Sequence, residues 1–162
     1  MKAMDLNDWL ARIQRVHPVD WDLGLERVGR VGKVLGIEHP GEKVVLVAGT
    51  NGKGSTCQYL SDMARAAGLT VGASTSPHLF QFNERIVIDG QPVADSLIVE
   101  AFEAIEAARG ETSLTYFEFS SLASMLIFQW QAVDLSILEV GLGGRLDAMN
   151  IVNPDQIGRA HV

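Results

Sequence analysis

Between Gly49 and Ser55 the sequence reads GTNGKGS, and its residue types are those that hold a phosphate. Closely spaced glycines let successive backbone N–H groups turn inward around an anion, and a lysine among them meets the outer phosphates. Gly49, Gly52, Gly54 and Lys53 supply these parts, with Thr50 and Asn51 completing the loop. Ser55 and Thr56 offer hydroxyls near a phosphate-bound magnesium ion. The loop departs from the strict pattern G-x-x-x-x-G-K-[ST]. Val47 stands where its first glycine would fall, and Gly54 takes the place of the hydroxyl residue. A glycine-rich turn with a solvated lysine is the bland alternative. The flanking sequence weighs against it, because an apolar strand precedes the loop and a helix follows it.

That strand is KVVLVA, Lys43 to Ala48, a continuous apolar run of the kind buried on both faces of a parallel sheet. The helix is expected from Gly54 to Ala67, with Gly68 as its C-cap. LTVGAS, Leu69 to Ser74, is the next strand, which makes a βαβ unit with a right-handed crossover. RIVID, Arg85 to Asp89, followed by Gly90, reads as a strand and turn of a small hairpin. Helices are expected over Ala94–Arg109 and Tyr116–Gln131, and VDLSILEV, Val133 to Val140, is a third parallel strand running into GLGGRLDAMN. Upstream, Trp9, Leu10, Ile13 and Val16 recur at helical spacing after a cap at Asn7, and Pro18 closes that segment. A second helix is expected from Leu23 to Leu35, weakened by Gly29 and Gly32. The fold class is therefore α/β: a P-loop-type parallel sheet flanked by helices.

The 162 residues suffice for one domain, and 47% hydrophobic against 20% charged residues is a globular balance. A net charge of −7 argues against a nucleic-acid surface while permitting a local positive pocket. Cys57 is the single cysteine, so no internal disulfide forms, and a reducing cytoplasm fits. No signal core or membrane-length apolar stretch is present, so no membrane contact is expected.

The departure from the strict loop is informative, because G-T-N-G-K-G-[ST] resembles the ATP loop of the Mur ligase superfamily. Within it the chain resembles the bacterial dihydrofolate synthase/folylpolyglutamate synthases. The likeness is carried in order by Asp22–Arg27 (DLGLER), the loop at 49–56, Ser76–Leu79 (SPHL), Asn83–Arg85 (NER), Leu114–Glu118 (LTYFE) and Glu139–Asp147 (EVGLGGRLD). It spans about residues 20 to 153. The resemblance implies a Mur-ligase-like ATPase domain, of which residues 1–155 would be the N-terminal part, and an ATP- and magnesium-dependent ligase.

The resemblance also implies roles. Thr50, Asn51, Gly52, Lys53, Gly54 and Ser55 would hold the ATP phosphates, with Lys53 neutralising charge in catalysis. Ser76 and Glu139 would ligate magnesium, a hard cation suited to a hydroxyl and a carboxylate. Asp22, Leu23, Gly24, Leu25, Thr115, Tyr116, Phe117, Glu118, Leu146, Asp147 and Ala148 would contact the pterin substrate. The substrates would be dihydropteroate or folates and L-glutamate, joined through an acyl phosphate by a cytoplasmic, monomeric enzyme.

From residue types alone, blander readings stand beside these. Ser76-Pro77 is a turn, Asp22 an N-cap, and Tyr116 and Phe117 core residues. His78 is structural, and Cys57 a small buried residue at the start of the loop helix. Gly141, Gly143 and Gly144 either admit a substrate close to the backbone or make a flexible turn. Glu139 ends a buried strand, where a carboxylate is costly unless paired or metal-bound.

The alternatives in function are another P-loop NTPase or kinase, and a non-catalytic nucleotide-binding module. The first would want the strict loop and, for a GTPase, an N-K-x-D segment, which is absent. Family enzymes continue well past the point where this likeness stops, near Asn153-Pro154-Asp155, where another apolar strand should begin. Residues 156–162, QIGRAHV, are expected to be a non-native tail. As the codons CAG ATC GGA AGA GCA CAC GTC they reproduce a common sequencing-adapter sequence.

Overall fold

A computed structural model describes residues 4–17 and 24–160. Helix α1 (Leu6–Ile13) is capped by Asp5, two residues earlier than the expected Asn7. The Asp5 carboxylate accepts from the Asp8 N–H while the Asp8 side chain accepts from the Asp5 N–H, a reciprocal box that satisfies two orphan donors. Pro18 lies outside the described residues. Helix α2 runs over Glu26–Val34, strand β1 over Lys43–Gly49, and helix α3 over Lys53–Ala66. Strands β2 (Val71–Ser74), β3 (Ile86–Ile88) and β4 (Gln91–Pro92) follow, then helices α4 (Asp95–Arg109) and α5 (Tyr116–Trp130), and strands β5 (Leu135–Glu139) and β6 (Gln156–Ala160).

The six strands form one sheet in the order β4-β3-β2-β5-β1-β6. Strands β2, β5, β1 and β6 are parallel, and β3 and β4 add the antiparallel hairpin expected at Gly90. β5 lies between β1 and β2, so the crossover helix α3 spans it. The register sets Val47 beside Glu139 and Ser74 beside Leu138. The carboxyl ends of β1, β2 and β5 therefore open on one edge. Alternating side chains divide the core into two layers. Val44, Leu46 and Leu138 join the large cluster under α1, α2, α4 and α5, where Phe102, Phe119 and Phe128 are fully buried. Val47 and Ile137 face α3 with Cys57, Val71 and Ala73.

Three elements were not expected, among them a 3-10 turn at Phe82–Arg85. A short 3-10 helix, Ala148–Ile151, is capped by Asp147. Residues 156–160 pair in parallel with β1, from Val45 opposite Gln156 to Gly49 opposite Ala160. Ladder bonds use backbone groups, so QIGRA pairs at this edge although most of its side chains stay exposed. Asp155 starts the strand: its carboxylate accepts from the Val44 N–H at 2.9 Å and from Lys43 Nζ at 3.1 Å. Among the described residues, no helix is long and apolar enough to cross a membrane.

Candidate functional site

The loop leaving β1 enters α3 through Gly52, whose φ of 77° lies in the left-handed region open to glycine. α3 has no side-chain cap and no acidic residue in its first turn, so its opening N–H groups and positive dipole end have no side-chain acceptor. Thr50, Asn51, Gly52, Gly54 and Ser55 are exposed around this end, and Lys53 is half-buried. Lys53 Nζ donates to the Gly49 carbonyl at 3.1 Å. The Thr56 hydroxyl is engaged by the Gly52 carbonyl at 2.9 Å, which leaves Ser55 as the available hydroxyl.

Across the same edge, Glu139 ends β5 only 4% exposed, and its Oε2 accepts from the Ser76 N–H at 2.8 Å. Burial pushes its carboxyl above the usual range, opposed by the Ser76 N–H and by the charge of Lys53. Lys53, Ser76 and Glu139, far apart in sequence, thus share one electrostatic neighbourhood. A cavity of about 380 Å³ runs from them along α3, lined by Gly54, Ser61, Arg65, Ser76, Glu84 and Glu139. Cys57 lies buried on its wall, and burial pushes the thiol up to about 12, the inert residue expected. Among the described residues no group of three or more His, Cys, Asp or Glu is placed to hold a metal. Protein ligation here would come from Glu139 and Ser76.

The segments expected to meet a pterin are brought together. Asp22 and Leu23 lie outside the described residues. Gly24 and Leu25 lead into α2, whose Arg27 donates to Glu118 Oε1 at 3.1 Å and so ties the start of α2 to the start of α5. Phe117 packs on Gly141, where an added Cβ would lie 2.5 Å from Phe117 Cζ. That contact corrects one reading of the sequence: Gly141 is small to admit the Phe117 ring, not a substrate. Several polar groups serve as fasteners. Thr115 and Glu118 form the capping box of α5. Asp147 is buried, and its carboxylate accepts from the Gly141, Leu142 and Met149 N–H groups at 3.0, 2.8 and 2.9 Å. Burial raises its pKa and those three N–H groups pull it down. Ala148 is buried in the 3-10 helix, while Gly24, Leu25, Tyr116, Phe117 and Leu146 retain accessible surface.

Arg85, expected only as part of the NER segment, and His78, expected to be structural, form a pair. The Arg85 guanidinium lies over the rings of Phe82 and Tyr116, 5.8 and 5.6 Å from their centroids. Its Nε donates to His78 Nδ1 at 2.8 Å. The NER segment was visible, but nothing in the sequence says that Tyr116 closes over it.

This geometry can be set beside known proteins. No protein-family model matches the chain. The dihydrofolate synthase/folylpolyglutamate synthase of Escherichia coli K12 is 48% identical over 153 residues, covering 94% of this chain and 36% of that enzyme. The enzyme of the same description from Haemophilus influenzae is 45% identical over 148 residues, covering 91% and 34%. Escherichia coli FolC in complex with DHPP and ADP superposes with a TM-score of 0.96 at 46% identity, over 97% of this chain and 38% of that one. The chain is a homologue of the bacterial dihydrofolate synthase/folylpolyglutamate synthases. A further structure of such an enzyme, with Mn, AMPPNP and L-glutamate bound, superposes with a TM-score of 0.92 at 46% identity over 96% of this chain and 38% of that one. The chain spans about a third of the length of the curated relatives it matches.

Proposed function

We propose that this chain forms the phosphate-binding and folate-facing portion of an ATP-dependent ligase. Its reaction would join the amine of L-glutamate to the carboxylate of dihydropteroate or of a folate. The observation that carries the reading is the uncapped start of α3, with Lys53, facing the buried Glu139 and the Ser76 bonded to it at the carboxyl ends of parallel strands. The homologous enzymes, crystallised with ADP and DHPP or with AMPPNP, Mn and L-glutamate, support the assignment of substrates.

Residues 49–55 would take the phosphates of ATP, with α3 N–H groups and Lys53 meeting the charge on the transferred phosphoryl group. A divalent cation fits the donor set. Glu139 is a buried hard-oxygen ligand whose charge is offset only in part by Lys53, and Ser76 is bonded to it. When bound, magnesium would shield phosphate charge during transfer. The substrate carboxylate attacks the γ-phosphorus, ADP leaves, and the glutamate amine displaces phosphate from the acyl phosphate to form the amide. No protein nucleophile is needed, in keeping with the inert Cys57 thiol. Gly24, Leu25, Tyr116, Phe117 and Leu146 would supply the surface against the pterin, with Thr115, Glu118, Asp147 and Ala148 holding that surface in shape.

Titrating a fluorescent ATP analogue with magnesium into the chain tests the phosphate site. Lys53→Ala should weaken binding about tenfold or more, the worth of one charge-assisted contact. Equal binding by wild type and variant would remove the loop from the site. In the longer protein, phosphate release should require both dihydropteroate and glutamate. We further propose that the 162-residue chain by itself lacks ligase turnover. Glutamate ligation by the purified chain would refute that. Residues 156–162 we take to replace native sequence, and source DNA with other codons at that junction would overturn this.

A further inference from the structure

We propose that Arg85 is a carboxylate receptor of this site, and that His78 is the positioning residue that aims it. Arg85 is half-buried, and no ion pair involves it among the described residues. A cation removed from water is costly unless a counter-charge meets it, and burial pushes the guanidinium pKa down accordingly. The acid beside it in sequence is committed elsewhere. Glu84 accepts from the Leu79, Phe80 and Gln81 N–H groups at 2.7, 2.9 and 2.7 Å. Asp95, across the loop, accepts from Asn83 at 2.8 Å. The guanidinium is thus held in place with no anion from the described residues beside it.

The way it is held defines what it can take. Phe82 and Tyr116 stand edge to face, 6.0 Å apart, with Arg85 over both rings. Nε is used by His78, so among the described residues the two terminal nitrogens of the fork have no acceptor, and they suit a planar two-oxygen ligand. An arginine Nε can only donate, so His78 Nδ1 must accept, which makes the ring neutral with its proton on Nε2. His78 follows two residues after Ser76, on the loop tied to Glu139, and Tyr116 precedes Phe117 in the substrate-facing wall. The fork thus joins the phosphate side of the site to its substrate side.

The identity of the carboxylate rests on the ligase reading. Two sources share the chemistry: the pteroate-type acceptor and the amino-acid substrate. The test uses the 162-residue chain with nitrogen-15-labelled arginine, titrated separately with pteroate and with L-glutamate. In the free chain the Arg85 Nε–H should exchange slowly, and one of the two acids should shift it. The acid that does so names the source. Arg85→Lys, which keeps the charge and loses the fork, should weaken that acid about tenfold. His78→Leu should abolish the Nε–H protection and weaken binding. His78→Asn, which keeps an acceptor near Nδ1, should restore both to within about threefold of wild type.

An Nε–H that neither acid moves overturns the receptor, as does wild-type affinity in Arg85→Lys. Wild-type protection in His78→Leu overturns the positioning role. The wild-type readout decides the matter even where a variant fails to fold. A chain that binds a carboxylate at Arg85 but no ATP analogue would sink the ligase reading and leave the receptor standing. The converse result would do the opposite.

Discussion

Replacing Gly141 with alanine is the sharpest test of how the wall proposed to face the substrate is built. A Cβ there would lie 2.5 Å from Phe117 Cζ, 2.6 Å from Cε2 and 3.4 Å from Cε1. Carbon atoms rest at about 3.5–4.0 Å, so ring or loop must give by roughly 1 Å. Overpacking of this kind costs about 1–3 kcal/mol. At ~2 kcal/mol the Tm of a chain this size should fall by roughly 4–8 °C. Urea unfolding should show a lower midpoint with an unchanged slope. The loop itself should report the strain, because Asp147 holds the Gly141 and Leu142 N–H groups and their exchange should quicken.

Phe117→Leu separates this cause from a general intolerance of change at Gly141. By itself it should cost about 1 kcal/mol for the lost ring contacts, but it also clears the space a Cβ would need. The double variant should therefore be more stable than the sum of the singles by about 1 kcal/mol or more. Additive costs, or a Gly141→Ala variant within about 0.5 kcal/mol of wild type, would show that the ring does not rest on this glycine.

Other perturbations follow from the same contacts. Glu118 is 3% exposed and joins Arg27 to the α5 cap, so Glu118→Ala should lower stability by about 3 kcal/mol. Glu118→Gln, which still accepts from Thr115, should lose less, and equal losses would argue against the cap. Glu106 is held below its ordinary value of 4.5 by Arg109 and then Arg12, so its stabilisation is present above that value and is lost as pH falls through the lowered one. Glu106→Gln should flatten the acid limb of stability, measured as urea midpoints between about pH 6 and about pH 3, and parallel curves would contradict the assignment. Glu84→Ala removes the acceptor of three loop N–H groups, so hydrogen exchange at Leu79, Phe80 and Gln81 should quicken while β1 and β5 remain protected. Unchanged exchange in that loop would mean that Glu84 does not brace it.

Local chemistry was legible wherever it is written in consecutive residues. KVVLVA reads as a strand because a short, valine-rich apolar run suits a sheet interior, and GTNGKGS after it reads as a turn that leaves N–H groups free for an anion. The capping pair Thr115–Glu118 lies in the sequence as a capping box, within the segment that the resemblance assigns to substrate contact. Strand β6 and the 3-10 helix at Ala148–Ile151 were not legible. An edge strand that pairs through its backbone needs no apolar pattern, and the 3-10 turn depends on how the loop folds back so that the Asp147 carboxylate meets the Gly141, Leu142 and Met149 N–H groups.

What only the tertiary structure decided is which groups meet and which are already spent. Insertion of β5 between β1 and β2 brings Glu139 to Ser76 and into the field of Lys53. Packing of α5 on the loop after β5 turns Gly141 from a possible substrate contact into a seat for Phe117. The same folding leaves Asp147 and Glu118 committed inside the protein and Arg85 without an anion among the described residues. Residue types set what each group is able to do. Long-range pairing sets the neighbours that either satisfy a group or leave it available, because hydrogen bonds and charges act over a few ångströms of space whatever their separation along the chain.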